Sequence, residues 1–235
     1  MSDPAGVSDP LADPARAAAV AAARTRIEPG MTVGLGSGRA VFALIEVLAG
    51  TWPADRPLRA VVASSRTEAR ARAAGIELVS LDDDLTLDVA VDGADEVDPR
   101  LALLKGGGGA LLREKLVLAA AGHVVIVAEA PKLVDRLGAT GALPVEVVRF
   151  AWPTTRRRLL GLVPSATLRR TPGGAPVVTD EGHHLLDCTL PDTDLPTLAT
   201  ALKSTLGVVE HGLFLDQADE ACLGHPDGTV QTLAR

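Results

Sequence analysis

Over its first half the chain repeats one pattern: a short aliphatic run, a turn of small or polar residues, then a longer amphipathic stretch. The runs fall at residues 32–35, 58–63, 76–79, 87–91 and 123–128. The amphipathic stretches fall at 14–27, 39–49, 66–74 and 110–121, and another starts at Pro131. Helices between successive strands act as crossovers, which return the chain parallel to the strand before. The pattern therefore predicts βαβ units and an α/β fold with a doubly wound, mostly parallel, Rossmann-like sheet. Such strands are covered on both faces and need aliphatic side chains throughout. The composition agrees: 47% of the 235 residues are apolar, yet there are no Tyr, three Phe and two Trp.

The order changes near residue 143. Strands are expected at 145–150, 166–170, 184–190 and 208–214, and helices at 153–162 and 195–206, with a hairpin turn at Asp180-Glu181-Gly182. This β-α-β-β-α-β order is the split, ferredoxin-like motif of a small α+β domain. The expected division is a loose tail at 1–14, rich in Pro, Asp and Gly, a Rossmann-like domain formed by 15–142 plus 215–235, and a ferredoxin-like domain at 143–214.

Bulk properties exclude several classes. A formal charge of −7 opposes a nucleic-acid surface, which needs clustered cations. It also repels an anionic ligand at long range, so any anion site must rely on local donors. Cys188 and Cys222 are the only cysteines, too few for a disulfide framework, and suit a reducing, cytoplasmic location. The Ala-rich segment at 15–26 follows Asp3, Asp9 and Asp13, whereas transit peptides are poor in acids. No apolar run approaches the ~20 residues of a membrane span.

Chemistry concentrates between Asp92 and Lys115. Val91-Asp92-Gly93-Ala94-Asp95-Glu96 follows an aliphatic strand, at the end of a parallel sheet where ligands bind. Asp92 and Asp95 read equally well as turn caps. Lys105 then precedes four glycines, Gly106 to Gly109, and a helix. A plain turn needs one or two glycines. Four before a helix make a track of bare N–H groups suited to an anion or a developing oxyanion, with a flexible linker as the bland alternative. Glu114 follows with Leu111 and Leu118 on its side of the helix. Burial there would raise its pKa toward that of a useful base, and the helix N-terminus would lower it. Arg113 and Lys115 equally allow a salt-bridged surface residue.

An earlier loop, Gly34-Leu35-Gly36-Ser37-Gly38-Arg39, misses the dinucleotide fingerprint, lacks a P-loop lysine and is no nucleophile elbow. What remains is a phosphate-sized cradle of N–H groups, or a tight turn. His183 and His184 are adjacent in a strand and cannot share a metal, and no His, Cys and carboxylate cluster has metal spacing. Asp82–Asp84 and Arg156–Arg158 read as solvated faces.

The segments VDGADEVD and LLKGGGGALLREKLV resemble the signature blocks of the ribose-5-phosphate isomerase type A family. GLGSG, Ser64-Ser65, VAEAPKLV, LPVEVV and His225-Pro226-Asp227-Gly228 also fit, from about Ala15 onward. The resemblance implies interconversion of ribose 5-phosphate and ribulose 5-phosphate through an enediolate, with no metal or organic cofactor, in a homodimer or homotetramer. It implies Glu114 as the base, Asp92 and Asp95 as contacts to the sugar hydroxyls, and Lys105 with the Gly106, Gly107 and Gly108 amides as oxyanion stabilisers. Gly93 and Ala94 would line the sugar site and Lys132 would bind substrate. The family's phosphate loop usually reads G-T-G-S-T; here Gly36-Ser37-Gly38-Arg39-Ala40 keeps one hydroxyl, and Arg39 is expected to replace the others by a charged contact. The competing readings are a sugar-phosphate sensor and an amino-sugar phosphate deaminase.

Overall fold

A computed structural model describes residues 9–53, 55–82 and 85–235. Most of the expected tail, and two of the three aspartates at 82–84, lie outside the described residues.

The helices and strands in chain order are α1 (Pro14–Arg24), β1 (Thr32–Leu35), α2 (Arg39–Leu48), β2 (Arg59–Val62), α3 (Ser65–Ala73), β3 (Glu77–Leu78), β4 (Val89–Gly93), β5 (Glu96–Val97), β6 (Leu103–Leu104), α4 (Leu111–Ala119) and β7 (Val124–Glu129). They continue as β8 (Leu143–Val147), α5 (Trp152–Leu159), β9 (Ala166–Leu168), β10 (His184–Cys188), α6 (Leu195–Lys203), β11 (Val208–His211), β12 (Leu213–Phe214), β13 (Glu220–Gly224) and β14 (Val230–Ala234).

The main sheet runs β14-β13-β7-β4-β1-β2-β3, parallel except for the β13–β14 hairpin. Alternate strand residues feed opposite faces, as the two-residue period requires. Val89 and Val91 pack with Val41, Leu44 and Ile45 of α2, while Ala90 packs with Leu111, Val117 and Leu118 of α4. From β1 the chain first builds outward to β2 and β3, then returns to place β4 on the other side. Such a reversal opens a crevice at the carboxyl ends of β1 and β4. Both glycine-containing segments with acidic neighbours begin there.

The second sheet runs β11-β8-β10-β9, antiparallel throughout, with Leu159 of α5 and Leu198 and Leu202 of α6 in its core. Its order is the ferredoxin-like one. Two expectations change. The strand drawn through 208–214 breaks at Gly212, whose N–H donates to the Pro144 carbonyl and whose own carbonyl accepts from the Lys105 N–H, an approach so close that a Cβ would lie 2.2 Å from the Lys105 carbonyl oxygen. β12 consequently leaves β11 and joins β6 and β5 in a third, three-stranded sheet that the sequence pattern did not reveal. The helix expected from Pro131 shrinks to a 3-10 turn, Ala130–Lys132, because Leu133 is extended and the Val134 N–H donates to Val97. Among the described residues no helix is long and apolar enough to cross a membrane.

Candidate active site

The β1 loop is shaped by a carboxylate. A Cβ on Gly36 would stand 1.9 Å from Asp92 Cγ, so only glycine lets β4 bring its aspartate alongside. Asp92 Oδ1 accepts N–H bonds from Ser37 (3.0 Å) and Gly93 (2.7 Å), and the side chain is fully buried. Ser37 Oγ lies 2.9 Å from Ser64 Oγ, which lies 2.8 Å from Thr67 Oγ1. Thr67 Oγ1 donates to the Gly36 carbonyl. Because a carbonyl only accepts, Thr67 must receive from Ser64 and Ser64 from Ser37. The Ser37 hydrogen thus points into the protein and a lone pair faces outward. The donors left for an anion at this loop are the first-turn amides of α2, which has no side-chain cap.

The second loop brings Lys105 between two acids. Its Nζ donates to the Gly93 carbonyl (2.6 Å) and pairs with Asp92 Oδ2 (2.9 Å) and Glu114 Oε2 (3.1 Å). All three groups are nearly or fully buried, at 3%, 0% and 4% exposure. The two carboxylate contacts are ion pairs without well-directed hydrogen bonds. Burial disfavours the Lys105 ammonium, but Asp92 and Glu114 outweigh it and the pKa is raised. Burial pushes the Glu114 carboxyl up to about 7, against the pull of Lys105 and with the help of Asp92. The surface salt bridge considered for Glu114 does not form: Arg113 reaches Glu181, and Lys115 reaches Glu210. The glycines have separate reasons. Gly106 holds φ +102°, and a Cβ on Gly107 would press on Asp95, whose Oδ2 accepts the Gly107 N–H at 2.7 Å.

A cavity of about 280 Å³ opens above these groups. Ser37, Gly38, Arg39, Ala40, Gly93, Ala94, Asp95, Lys105, Gly106, Gly107, Gly108, Glu114 and Lys132 all line it. Asp92 stands behind Lys105 and reaches the cavity through it. Lys132 is engaged with the Ala94 carbonyl (2.7 Å) and Glu129 (3.2 Å), and the exposed Arg39 has no side-chain partner among the described residues. The walls also include Phe42, Arg66 and Glu129, which sequence reasoning missed. Arg66 comes from α3, whose charge pattern resembles that of any surface helix.

A family model described as ribose 5-phosphate isomerase A (phosphoriboisomerase A) matches residues 59–228. The chain belongs to the ribose 5-phosphate isomerase A family. Ribose-5-phosphate isomerase A of Synechococcus sp. (strain JA-3-3Ab) is 46% identical over 225 residues, covering 94% of this chain and 97% of the relative. The solved ribose 5-phosphate isomerase from Plasmodium falciparum matches with a TM-score of 0.87 at 33% identity, covering 94% of this chain and 98% of its own. A D-ribose-5-phosphate isomerase in complex with phospho-erythronic acid matches with a TM-score of 0.87 at 34% identity, over 94% of this chain and 97% of its own.

Within this member of the ribose 5-phosphate isomerase A family, other features stay structural. Glu96 of the DGADE block faces away from the cavity and accepts from Gly138, Thr140 and Gly141. His183 bonds Glu146 while His184 bonds the Val177 carbonyl. Burial pushes the Cys188 thiol up to about 12 and the Cys222 thiol up to about 11, so neither is a thiolate nucleophile near neutral pH. Arg156, Arg157 and Arg158 are exposed.

Proposed function

We propose that the chain interconverts D-ribose 5-phosphate and D-ribulose 5-phosphate by proton transfer between C2 and C1 of the open-chain sugar. The Glu114 carboxylate takes the C2 proton, and the electron pair moves through C1=C2 to leave negative charge on the C1 oxygen. Lys105 and the Gly108 amide stabilise that oxyanion, whereas the Gly107 N–H, expected to help, is taken by Asp95. The O2 proton passes to O1, Glu114 returns its proton to C1, and the ketone forms at C2. Asp95, one oxygen on Gly107, offers the other to a sugar hydroxyl. Asp92 acts through Lys105 rather than on the sugar. The phosphate meets the α2 amides and Arg39, with Arg66 and Lys132 as further cations on the wall.

One observation carries this reading: the buried Glu114 carboxyl lines the cavity 3.1 Å from the buried Lys105 ammonium, and burial pushes its pKa up to about 7. A base works best when its pKa lies near the operating pH, and a non-catalytic sensor has no need of one. Support for the substrate class comes from the relative bound to a phosphorylated sugar acid. A coupled ribose-5-phosphate isomerisation assay tests it. Glu114→Gln should lower kcat by about 10²–10⁴; full activity in that variant would remove Glu114 as the base, and an inactive wild type would favour the sensor.

We further propose that residues 143–214, apart from the β12 residues that pair with β6, form a domain of their own, and that the chain works as a homodimer or homotetramer in the cytoplasm. Phe150 and Leu206, 87% and 75% exposed, flank the bond from the Val148 N–H to Gly207 and supply an apolar contact for a second copy. Light scattering of wild type against Phe150→Asp reads this directly; an unchanged mass would refute that contact.

A further inference from the structure

Four glycines in a row have more backbone freedom than any other tetrapeptide, yet oxyanion donors work only when pre-aimed. The loop is held from outside. Nη1 of Arg169 donates to the carbonyls of both Gly106 (2.9 Å) and Gly107 (3.0 Å). Arg169 directly follows β9, and its own backbone is anchored: its N–H donates to Leu185 and its carbonyl accepts from Val177. The opposite edge of the guanidinium closes on Asp187 of β10, with Nε 3.0 Å from Oδ2 and Nη2 on Oδ1. Nη1 is left to face the loop.

A trans peptide points its C=O and its N–H to opposite sides. Drawing the Gly106 carbonyl toward Arg169 turns the Gly107 N–H away, onto Asp95, which it meets at 2.7 Å. Drawing the Gly107 carbonyl the same way turns the Gly108 N–H away from Arg169. Gly107, Gly108 and Asp95 line the cavity while Arg169 does not, and the Gly108 N–H has no acceptor among the described residues. A cation on the carbonyl also polarises the peptide and strengthens its N–H as a donor.

We propose that Arg169, itself set by Asp187, is a positioning residue for the isomerisation: from the four-stranded sheet it locks the glycine peptides so that the Gly108 amide is aimed at the developing oxyanion. This rests on the reading that the oxyanion forms against the glycine loop. Arg169 does not touch the sugar, so its removal acts on the transition state more than on binding.

The test compares Arg169→Ala, Arg169→Lys and Asp187→Asn with wild type by steady-state kinetics and thermal melting. Arg169→Ala should lower kcat about 10- to 100-fold, the scale of a small misplacement of a catalytic group, with KM little changed. Arg169→Lys, with a single donor group of similar reach, and Asp187→Asn should fall between it and wild type. The acid limb of the pH profile should stay at the wild-type position, since Glu114 and Lys105 are untouched. Added ethylguanidinium should restore part of kcat to Arg169→Ala and none to Glu114→Gln. Wild-type kcat in Arg169→Ala, or an effect confined to KM, would overturn the proposal. If Arg169→Ala fails to fold, the folded Asp187→Asn decides by the same split. Full activity in Glu114→Gln would instead sink the site assignment, so the two failures are distinguishable.

Discussion

Replacing Lys105 with Met removes a buried charge while keeping a linear side chain of similar reach. The Lys105 Nζ lies 2.9 Å from Asp92 and 3.1 Å from Glu114. At an effective dielectric of about 20, opposite charges about 3 Å apart attract by roughly 5 kcal/mol, worth about 10⁴-fold in the acidity of Glu114. Without the ammonium, burial and Asp92 both act to keep Glu114 protonated. The acid limb of kcat/KM, expected near pH 7 in wild type, should therefore move well above neutrality. If the same ammonium also stabilises the oxyanion, as proposed, kcat/KM at pH 7 should fall by about 10³-fold or more. Stability should follow with a definite sign. The folded variant retains a proton between its two carboxylates that the unfolded chain gives up, so its stability falls as pH rises. Folded wild type also keeps the Glu114 proton up to about pH 7, so the two proteins diverge above it: the deficit should be about 3–5 kcal/mol at pH 8, the usual cost of breaking a buried pair, and smaller at pH 5. The assays are a pH–rate profile with coupling enzymes in excess and urea unfolding at pH 5 and pH 8. An acid limb at the wild-type position, or an equal destabilisation at both pH values, would refute the electrostatic account.

As the proposed base, wild-type Glu114 must be ionised to act, so kcat/KM should rise with pH through about 7 and a limb near the ordinary carboxylate range would show that burial does not control it. Arg39→Ala should raise KM for the sugar phosphate about tenfold, the scale of a hydrogen bond to a charged group, with kcat little affected; an unchanged KM would rule out Arg39 as a phosphate contact. Gly36→Ala places a methyl group 1.9 Å from Asp92 Cγ and should cost about 1–3 kcal/mol as an overpacked site, seen as a lower Tm, and an unaltered Tm would contradict the close approach of the two strands.

The parallel sheet, the ferredoxin-like order of the second half and the two loops that form the cavity are legible in the order of residues. Those properties are local: strand and helix periods, the glycines after β1 and the run before α4 are written in adjacent residues. Fold class and the place of the crevice follow from them, because crossover connections leave few topologies. Which groups meet is set by the packing of distant segments. Asp92, Lys105 and Glu114 come from β4, the loop after β6 and α4, and nothing periodic marks that the ammonium sits between the acids. Nothing in the sequence singles out Arg66 or Arg169, which α3 and the end of β9 carry to the glycine loop. The break at Gly212 depends on the backbone of Lys105. Whether Glu114 is a solvated acid or a base near neutral pH is likewise a matter of burial and of one neighbouring cation. Packing between distant segments sets both, and that information is absent from any short stretch of the chain.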